Sequence, residues 1–308
     1  MSSLALPSFA KTNWILKILG LREDGFHELR TVFQMLDLRD ELMLRVTTDP
    51  EIRIRVHGRA APAGPENLVC RAARLLKRRA GVSAGAEMTL TKRIPLGAGL
   101  GGGSGNAAAT LLALNQLWDC GLSLSGLTAL ASELGSDVAF FLRGGSALGE
   151  GRGELITPLP DLGRPVDMML LYPGRGLSTK SVYSMRNWGV WAGAERLTRS
   201  WTQNTIHRFS RFRDGLNWAH LENDFETLLF QRYGFLEEAR KALIALGCER
   251  VMVCGSGSTL MGLGCRKRPP RGKDPSAFQG GGELLFCSTL SRRRYRKILR
   301  ESGLEVPV

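Results

Sequence analysis

Apolar residues fall at every second position over 12–19 (TNWILKIL) and 41–56 (ELMLRVTTDPEIRIRV). That is the spacing of half-buried strands, and Asp49-Pro50 predicts a turn inside the second run. The period lengthens over 66–80 (ENLVCRAARLLKRRA). There Leu68, Val69, Ala72, Leu75 and Leu76 share one face of a predicted helix, and Arg71, Arg74 and Arg78 take the other. Alternation returns at 87–94, with Met88, Leu90 and Ile94 on one side. A glycine-rich bend follows, then an Ala/Leu helix over 104–118. A further helix begins near Ser125, carries Leu127, Leu130 and Leu134, and stops at Gly135. Short apolar runs predict strands at 138–142, 145–149 and 153–157, and VDMMLLY at 166–172 predicts a buried one. Helices around 222–232 and 236–246 and a strand at 250–254 complete the pattern. Residues 264–282, crowded with Pro, Gly and Arg, predict an exposed loop. Helices and strands alternate without an internal repeat, which is an α/β pattern.

The chain has 308 residues, beyond the roughly 250–300 at which one core stops growing. Two lobes are therefore expected, 1–160 and 161–308, with 266–308 a strongly basic tail. That tail holds eleven Lys/Arg against four acids, about half of the net +13. Such a balance suits nucleic acid, an acidic small substrate or a merely solvated surface. Few aromatics interleave the basic runs, which argues against nucleic acid as a partner. No apolar run approaches the ~20 residues of a membrane span. The start, MSSLALPSFAKTNW, lacks a basic opening and is interrupted by Lys11 and Asn13, unlike a signal peptide. A cytoplasmic location is expected, with no membrane partner. The six cysteines form no C-x-x-C pair and are expected to be reduced, mostly buried thiols. The four histidines show no zinc-ligand spacing.

Candidate chemistry concentrates at the bend. Six glycines lie within the nine residues 97–105, between a strand and the first turn of a helix. Glycine lets the backbone approach a ligand closely, and the unpaired N–H groups of a helix start attract phosphate. Ser104 can cap that helix or offer a hydroxyl to Mg²⁺. Gly97, Gly99 and Gly102 match G-x-G-x-x-G, but Asp119 follows a helix and not a strand, so a dinucleotide fold does not fit. No G-K-[ST], H-R-D or D-F-G occurs, which excludes a Walker loop and a protein kinase. Gly255-Ser256-Gly257-Ser258-Thr259 forms a second small-residue loop, which by itself reads as a hairpin turn. Asp137 reads as a turn or capping residue, or as a proton acceptor; Lys11, flanked by apolar residues, reads as a snorkelling lysine.

The bend itself, PLGAGLGGGSGNAA (95–108), resembles the loop P-x-G-x-G-L-G-G-G-S-S-N-A-A of the GHMP kinases. Three further blocks follow that family's order: 7–42 (PSFAKTNW…REDGFHELRTVFQMLDLRDEL), 134–159 (LGSDVAFFLRGGSALGEGRGELITPL) and 253–262 (VCGSGSTLMG). They are most similar to the branch acting on 4-diphosphocytidyl-2-C-methyl-D-erythritol. The resemblance implies a first lobe like domain 2 of ribosomal protein S5 and a second, ferredoxin-like lobe. It implies phosphorylation of that substrate's 2-hydroxyl by ATP with Mg²⁺, in non-mevalonate isoprenoid biosynthesis, by a monomer or homodimer.

Residue by residue, the resemblance makes Lys11 and Asp137 the catalytic pair, close enough to form an ion pair. Pro95, Gly97, Ala98, Gly99, Leu100, Gly101, Gly102, Gly103, Ser104 and Gly105 would bind the ATP phosphates, with Asn67 and Lys92 at the adenine and Ser104 at the metal. Asn13, Phe26, His27, Phe33, Thr179, Tyr183, Gly255 and Ser256 would hold the acceptor, with Phe26 and Tyr183 stacking on its cytosine. Two residues depart from the pattern. Phe26 replaces a tyrosine, which stacking tolerates. Gly105 replaces a second serine: binding of ATP or Mg²⁺ would weaken if that hydroxyl touched phosphate or metal, unless a backbone N–H takes its place. Four of the six tryptophans (Trp188, Trp191, Trp201, Trp218) fall where the resemblance is poor and are expected to pack in the second lobe or form a lip over the substrate. Two competing readings remain: a mevalonate- or homoserine-type GHMP kinase, or a nucleic-acid-binding protein on an inactive kinase scaffold.

Overall fold

The computed structural model describes residues 2–185, 188–189, 218–265 and 282–307. The expected loop at 266–281, together with Trp191 and Trp201, lies outside them. The first sheet is built on a long antiparallel hairpin, β1 (Ser3–Leu21) and β2 (His27–Thr47), joined by the turn at Asp24-Gly25. Two more strands, β3 (Ile52–Gly58) and β4 (Gly85–Lys92), extend it beyond β2. Along the same edge of β2 as β4, β5 (Ser146–Glu150) pairs with the earlier stretch Thr31–Gln34, and β6 (Leu155–Pro158) pairs with β5. The helices α1 (Leu68–Ala80), α2 (Gly102–Leu117), α3 (Leu124–Leu134) and α4 (Val138–Arg143) pack on this sheet. Their apolar faces meet Leu42, Leu44, Met88 and Leu90 in one core.

The second sheet consists of β7 (Asp167–Tyr172), β9 (Arg250–Val253), β10 (Leu260–Leu263) and β11 (Glu283–Ser288). Its order, β11-β7-β10-β9, is the 4-1-3-2 order of a ferredoxin-like sheet, with every neighbouring pair antiparallel. Among the described residues the helices α5 (Thr179–Tyr183), α6 (Glu226–Arg232) and α7 (Gly234–Ala245) belong to this half. Leu236, Ala239 and Leu243 of α7 pack against the sheet through Met169, Leu171 and Val253. No helix among the described residues is long and apolar enough to cross a membrane.

Past residue 160 the chain returns to the first sheet twice. A two-residue strand, β8 (Glu222–Asn223), pairs in parallel with β1. The helix α8 (Arg292–Glu301) lays Tyr295 and Leu299 into the first core. The Tyr295 hydroxyl donates to the Phe141 carbonyl at 2.6 Å, and Arg292 donates to the carbonyls of Leu159 (3.1 Å) and Ser146 (2.6 Å). The basic tail is thus, from 283 onward, a folded piece: apart from the inward-bonded Arg292, the cations of α8 lie on the outer face of an amphipathic helix. Tyr295→Phe removes one buried hydrogen bond and leaves the Phe141 carbonyl unpaired. We expect a loss of about 1–2 kcal/mol in urea unfolding, with no change in fold.

Two expectations need correction. Residues 138–142 are helix α4 and not a strand. Val138, Ala139, Phe140, Phe141 and Leu142 are all buried, so the run shows no helical period, and a short all-apolar run reads equally as either element. Nor are all six cysteines thiols, since Cys248 and Cys265 form a disulfide. The β9–β10 pairing sets Arg250 opposite Leu263, and Glu249 N–H bonds the Leu263 carbonyl at 2.8 Å. This brings the two cysteines to one end of the hairpin. A spacing without a motif gives no sign of that.

Candidate active site

The bend between β4 and α2 turns through glycines of positive φ: 65° at Gly97, 77° at Gly99 and 66° at Gly101. Its shape is set by the second glycine loop. A Cβ on Gly99 would lie 1.8 Å from the Cys254 carbonyl oxygen, and one on Gly257 would lie 2.0 Å from the Gly99 nitrogen. The two loops therefore stack backbone on backbone, tied by Thr259 N–H to the Ala98 carbonyl at 3.3 Å. Gly99→Ala must separate them and also strains a left-handed residue. We expect that variant to raise the KM for ATP at least about fivefold in steady-state assays. Gly101 caps α2 without a side-chain bond, so the first amides of the helix, at Gly102, Gly103 and Ser104, lack intrahelical acceptors.

These amides line a cavity of about 780 Å³, within the ~300–1,000 Å³ of small-molecule sites. The same cavity is lined by Lys11 of β1, whose stem lies against Gly101, and by Asp137, the residue before α4. Lys11 Nζ lies 3.2 Å from Asp137 Oδ2 and 2.9 Å from the Asn13 side-chain oxygen. Asp137 makes no capping bond to α4, which leaves its carboxylate to the cavity and to Lys11. Lys11 is 6% exposed and Asp137 30%, so the cation is sheltered while the acid faces the space. Lys11 N–H also donates to the Leu100 carbonyl at 2.9 Å, fixing the bend to β1. Asn13 is held by its donation to Thr31 Oγ1 at 2.6 Å. Phe33 lies 5.5 Å from the Lys11 ammonium and stacks on Phe140.

The far end of the cavity is aromatic. Phe26 is half exposed at the hairpin turn, where Asp24 Oδ1 accepts its N–H at 3.1 Å, and the Arg152 guanidinium lies 4.7 Å from its ring centre. The His27 ring is 5.0 Å from Tyr183, which packs edge-on against Phe225. Trp188 donates its indole N–H to the Tyr183 carbonyl at 3.0 Å, and so packs behind the aromatic wall. Burial pushes the His27 imidazole below its usual 6.5, so at pH 7 it is neutral and offers one donor and one acceptor. Burial pushes the Tyr183 phenol up, which keeps it protonated. Thr179 Oγ1 and Ser256 Oγ stand 3.2 Å apart where α5 meets the second glycine loop.

Of the residues named from the sequence, Asn67 and Gly105 do not line the cavity. Asn67 caps α1, accepting from Val69 N–H at 2.9 Å and donating to the Pro62 carbonyl at 2.6 Å. Gly105 is buried on the other side of α2, where a Cβ would meet the Phe9 carbonyl oxygen at 2.5 Å. A side chain at that position would point toward Phe9 and Ser8 and away from the cavity. Lys92 reaches the wall, but its ammonium is paired with the fully buried Asp40 and donates to Asn106 Oδ1 at 3.1 Å.

Sequence reasoning missed Asp40, Asn106, Asn223, Arg152 and Lys180. Asp40 Oδ1 accepts from Arg93 N–H (2.7 Å) and Ile94 N–H (2.9 Å), and Oδ2 accepts from Asn106 Nδ2 (2.9 Å). It thereby clamps the start of the bend to α2. The available signal was its phase: Asp40 alternates with buried Leu42 and Leu44, an acid at a core position. Asn223 donates to the carbonyls of Val253 (2.9 Å) and Gly255 (2.8 Å), holding the second glycine loop from β8.

Residues 67–145 match the family described as GHMP kinases N terminal domain. The chain is 38% identical over 273 residues to the 4-diphosphocytidyl-2-C-methyl-D-erythritol kinase of Geobacter metallireducens, covering 88% of this chain and 93% of that protein. It is 39% identical over 314 residues to the protein of the same name from Solibacter usitatus, covering 97% and 93%. Among solved structures it is similar to a 4-(cytidine 5'-diphospho)-2C-methyl-D-erythritol kinase, with TM-score 0.72 and 33% identity over 93% of this chain and 99% of that one. A homoserine kinase from Cytophaga hutchinsonii shares the fold at TM-score 0.66 and 19% identity, over 94% and 95% of the two chains.

Proposed function

The chain belongs to the 4-diphosphocytidyl-2-C-methyl-D-erythritol kinases, a branch of the GHMP kinases, and from that membership we propose that it moves the γ-phosphoryl group of ATP onto the 2-hydroxyl of 4-diphosphocytidyl-2-C-methyl-D-erythritol. The reaction belongs to non-mevalonate isoprenoid biosynthesis. The observation that carries the reading is the 3.2 Å Lys11–Asp137 pair, lining one cavity together with the start of a glycine-capped helix.

Phosphoryl transfer asks the protein for positioning and charge stabilisation more than for covalent chemistry. The amides at the start of α2 hold the β- and γ-phosphates, because they lack other acceptors and sit at the positive end of the helix. Asp137 accepts the proton of the 2-hydroxyl as its oxygen bonds to the γ-phosphorus, and the bond to the bridging oxygen of ADP breaks. Lys11 pairs with that carboxylate and offsets charge on the moving group. Phe26 and Tyr183 flank the cytosine, and the neutral His27 reads its polar edge. Asn13, Phe33, Thr179, Gly255 and Ser256 complete the acceptor's surroundings.

Mg²⁺ suits this donor set. The ion takes substrate phosphates and waters readily, and Ser104, in the cavity wall, supplies the hydroxyl that would hold it beside them. When bound, it neutralises charge on the phosphates. We assign 1–160 to the ATP-binding unit and 161–308 to the second unit, and place the enzyme in the cytoplasm as a monomer or homodimer.

The test is ADP release by the purified chain with ATP, Mg²⁺ and each of three acceptors. Turnover should require the cytidyl substrate and leave the new phosphate on its 2-oxygen. Strict preference for mevalonate or homoserine would overturn the reading.

A further inference from the structure

The acceptor proposed above carries a diphosphate between its cytidine and its sugar alcohol, and those charges need a partner distinct from the groups that handle ATP. Four cationic side chains line the cavity among the described residues: Lys11, Lys92, Arg152 and Lys180. Three are committed. Lys11 pairs with Asp137 and Asn13, and Lys92 is buried against Asp40 and Asn106. Arg152 lies over Phe26 and pairs with Glu154 at 3.6 Å. Lys180 is exposed and forms no ion pair among the described residues.

Its position fits a diphosphate. Lys180 is the second residue of α5. Just before that helix, Leu177 N–H bonds the Gly97 carbonyl at 3.0 Å, which docks the approach to α5 against the phosphate-binding bend. Thr179, beside it, touches Ser256 of the second glycine loop. Three residues on, about 4.5 Å along the helix axis, Tyr183 meets His27 at the aromatic end. Lys180 therefore stands between the place of the base and the place of phosphoryl transfer. The Thr179 and Ser256 hydroxyls and the Gly255 backbone beside it are neutral. They can orient an anion but bring no countercharge.

We propose that Lys180 binds the diphosphate of the acceptor and so determines the enzyme's preference for a cytidine-diphosphate-bearing alcohol. The inference rests on the acceptor assignment above. A lysine suits the task because its ammonium is a mobile point charge on a long stem, able to follow the diphosphate as the substrate settles.

Calorimetric titration of cytidine and of cytidine 5'-diphosphate into the wild type, Lys180→Gln and Lys180→Arg tests it, alongside steady-state kinetics with the full acceptor. The wild type should bind the diphosphate at least about tenfold tighter than cytidine. Lys180→Gln should lose most of that margin, and Lys180→Arg should keep it. In turnover, Lys180→Gln should raise the KM for the acceptor about tenfold and leave the KM for ATP within about twofold. An unchanged diphosphate margin in Lys180→Gln, or no margin in the wild type, overturns the proposal. A wild type that turns over the acceptor beside an unaffected Lys180→Gln refutes the lysine's role alone. A wild type that ignores the acceptor refutes the functional reading.

Discussion

Asp137→Ala is expected to lower kcat by about three orders of magnitude while the KM values for ATP and acceptor stay within about twofold. The carboxylate is the acid group that faces the cavity beside Lys11, and it is free of any capping duty that would make it structural. Removing it takes away the acceptor for the hydroxyl proton and leaves Lys11 paired only with Asn13. Lys11→Met should fall as far, for a complementary reason: the acid loses its ion-pair partner and the moving group the charge that offsets its own. Because the pair acts as a unit, the double variant should be little worse than either single one. Single-turnover rates with saturating substrates measure this, and circular dichroism checks that each variant folds. Near-wild-type rates in both single variants would remove the pair from the mechanism.

The second large effect concerns stability. Asp40→Ala strands the Lys92 ammonium in a site where it is only 4% exposed, and it also leaves the amides of Arg93 and Ile94 without their acceptor. Breaking a buried pair by removing one partner costs about 3–5 kcal/mol. Burial already pushes Lys92 below its usual 10.5 against the pull of Asp40, so losing the acid lowers it further. The sign of the pH dependence follows. The folded variant holds fewer protons than the unfolded chain between the lowered value and 10.5, so its stability rises with pH across that window. Urea unfolding at pH 7 and at pH 9.5 should show the deficit shrinking at the higher pH. Asp40→Leu combined with Lys92→Met should recover part of the loss, since an apolar replacement leaves no buried charge. A pH-independent deficit of under about 1 kcal/mol would mean that the cluster is solvated and not a clamp.

What the sequence disclosed tracks how local each signal was. The strand over 12–19, which forms part of β1, the amphipathic α1 and the glycine bend are written in consecutive residues and lie where expected, whereas the first half of β2, 27–40, is mostly buried and shows no alternation to announce it. The encounter of Lys11 with Asp137 joins a strand at one end of the lobe to a turn after α3, so spacing alone left each residue with an ordinary explanation. Only the resemblance in four ordered blocks brought them together. α4 was misread because burial on every side erases the helical period. α8 looked like a charged tail because Tyr295 and Leu299 are few among arginines, although both reach the core. Asn67 and Gly105 were matched by position to a ligand site, whereas their neighbours Leu68 and Ser104 are the residues that face the cavity. One residue along a helix turns a side chain by about 100°, which is enough to move it out of the site.

The central claim is that the α2 amides take the phosphates of ATP and direct the γ-phosphorus toward the Lys11–Asp137 pair. A crystal structure with a non-hydrolysable ATP analogue and the acceptor tests it most directly. Phosphate oxygens should lie about 2.7–3.2 Å from the N–H groups of residues 102–104, with the 2-hydroxyl hydrogen-bonded to Asp137 and in line with the γ-phosphorus. An analogue bound elsewhere, or an acceptor hydroxyl out of reach of Asp137, would contradict the account.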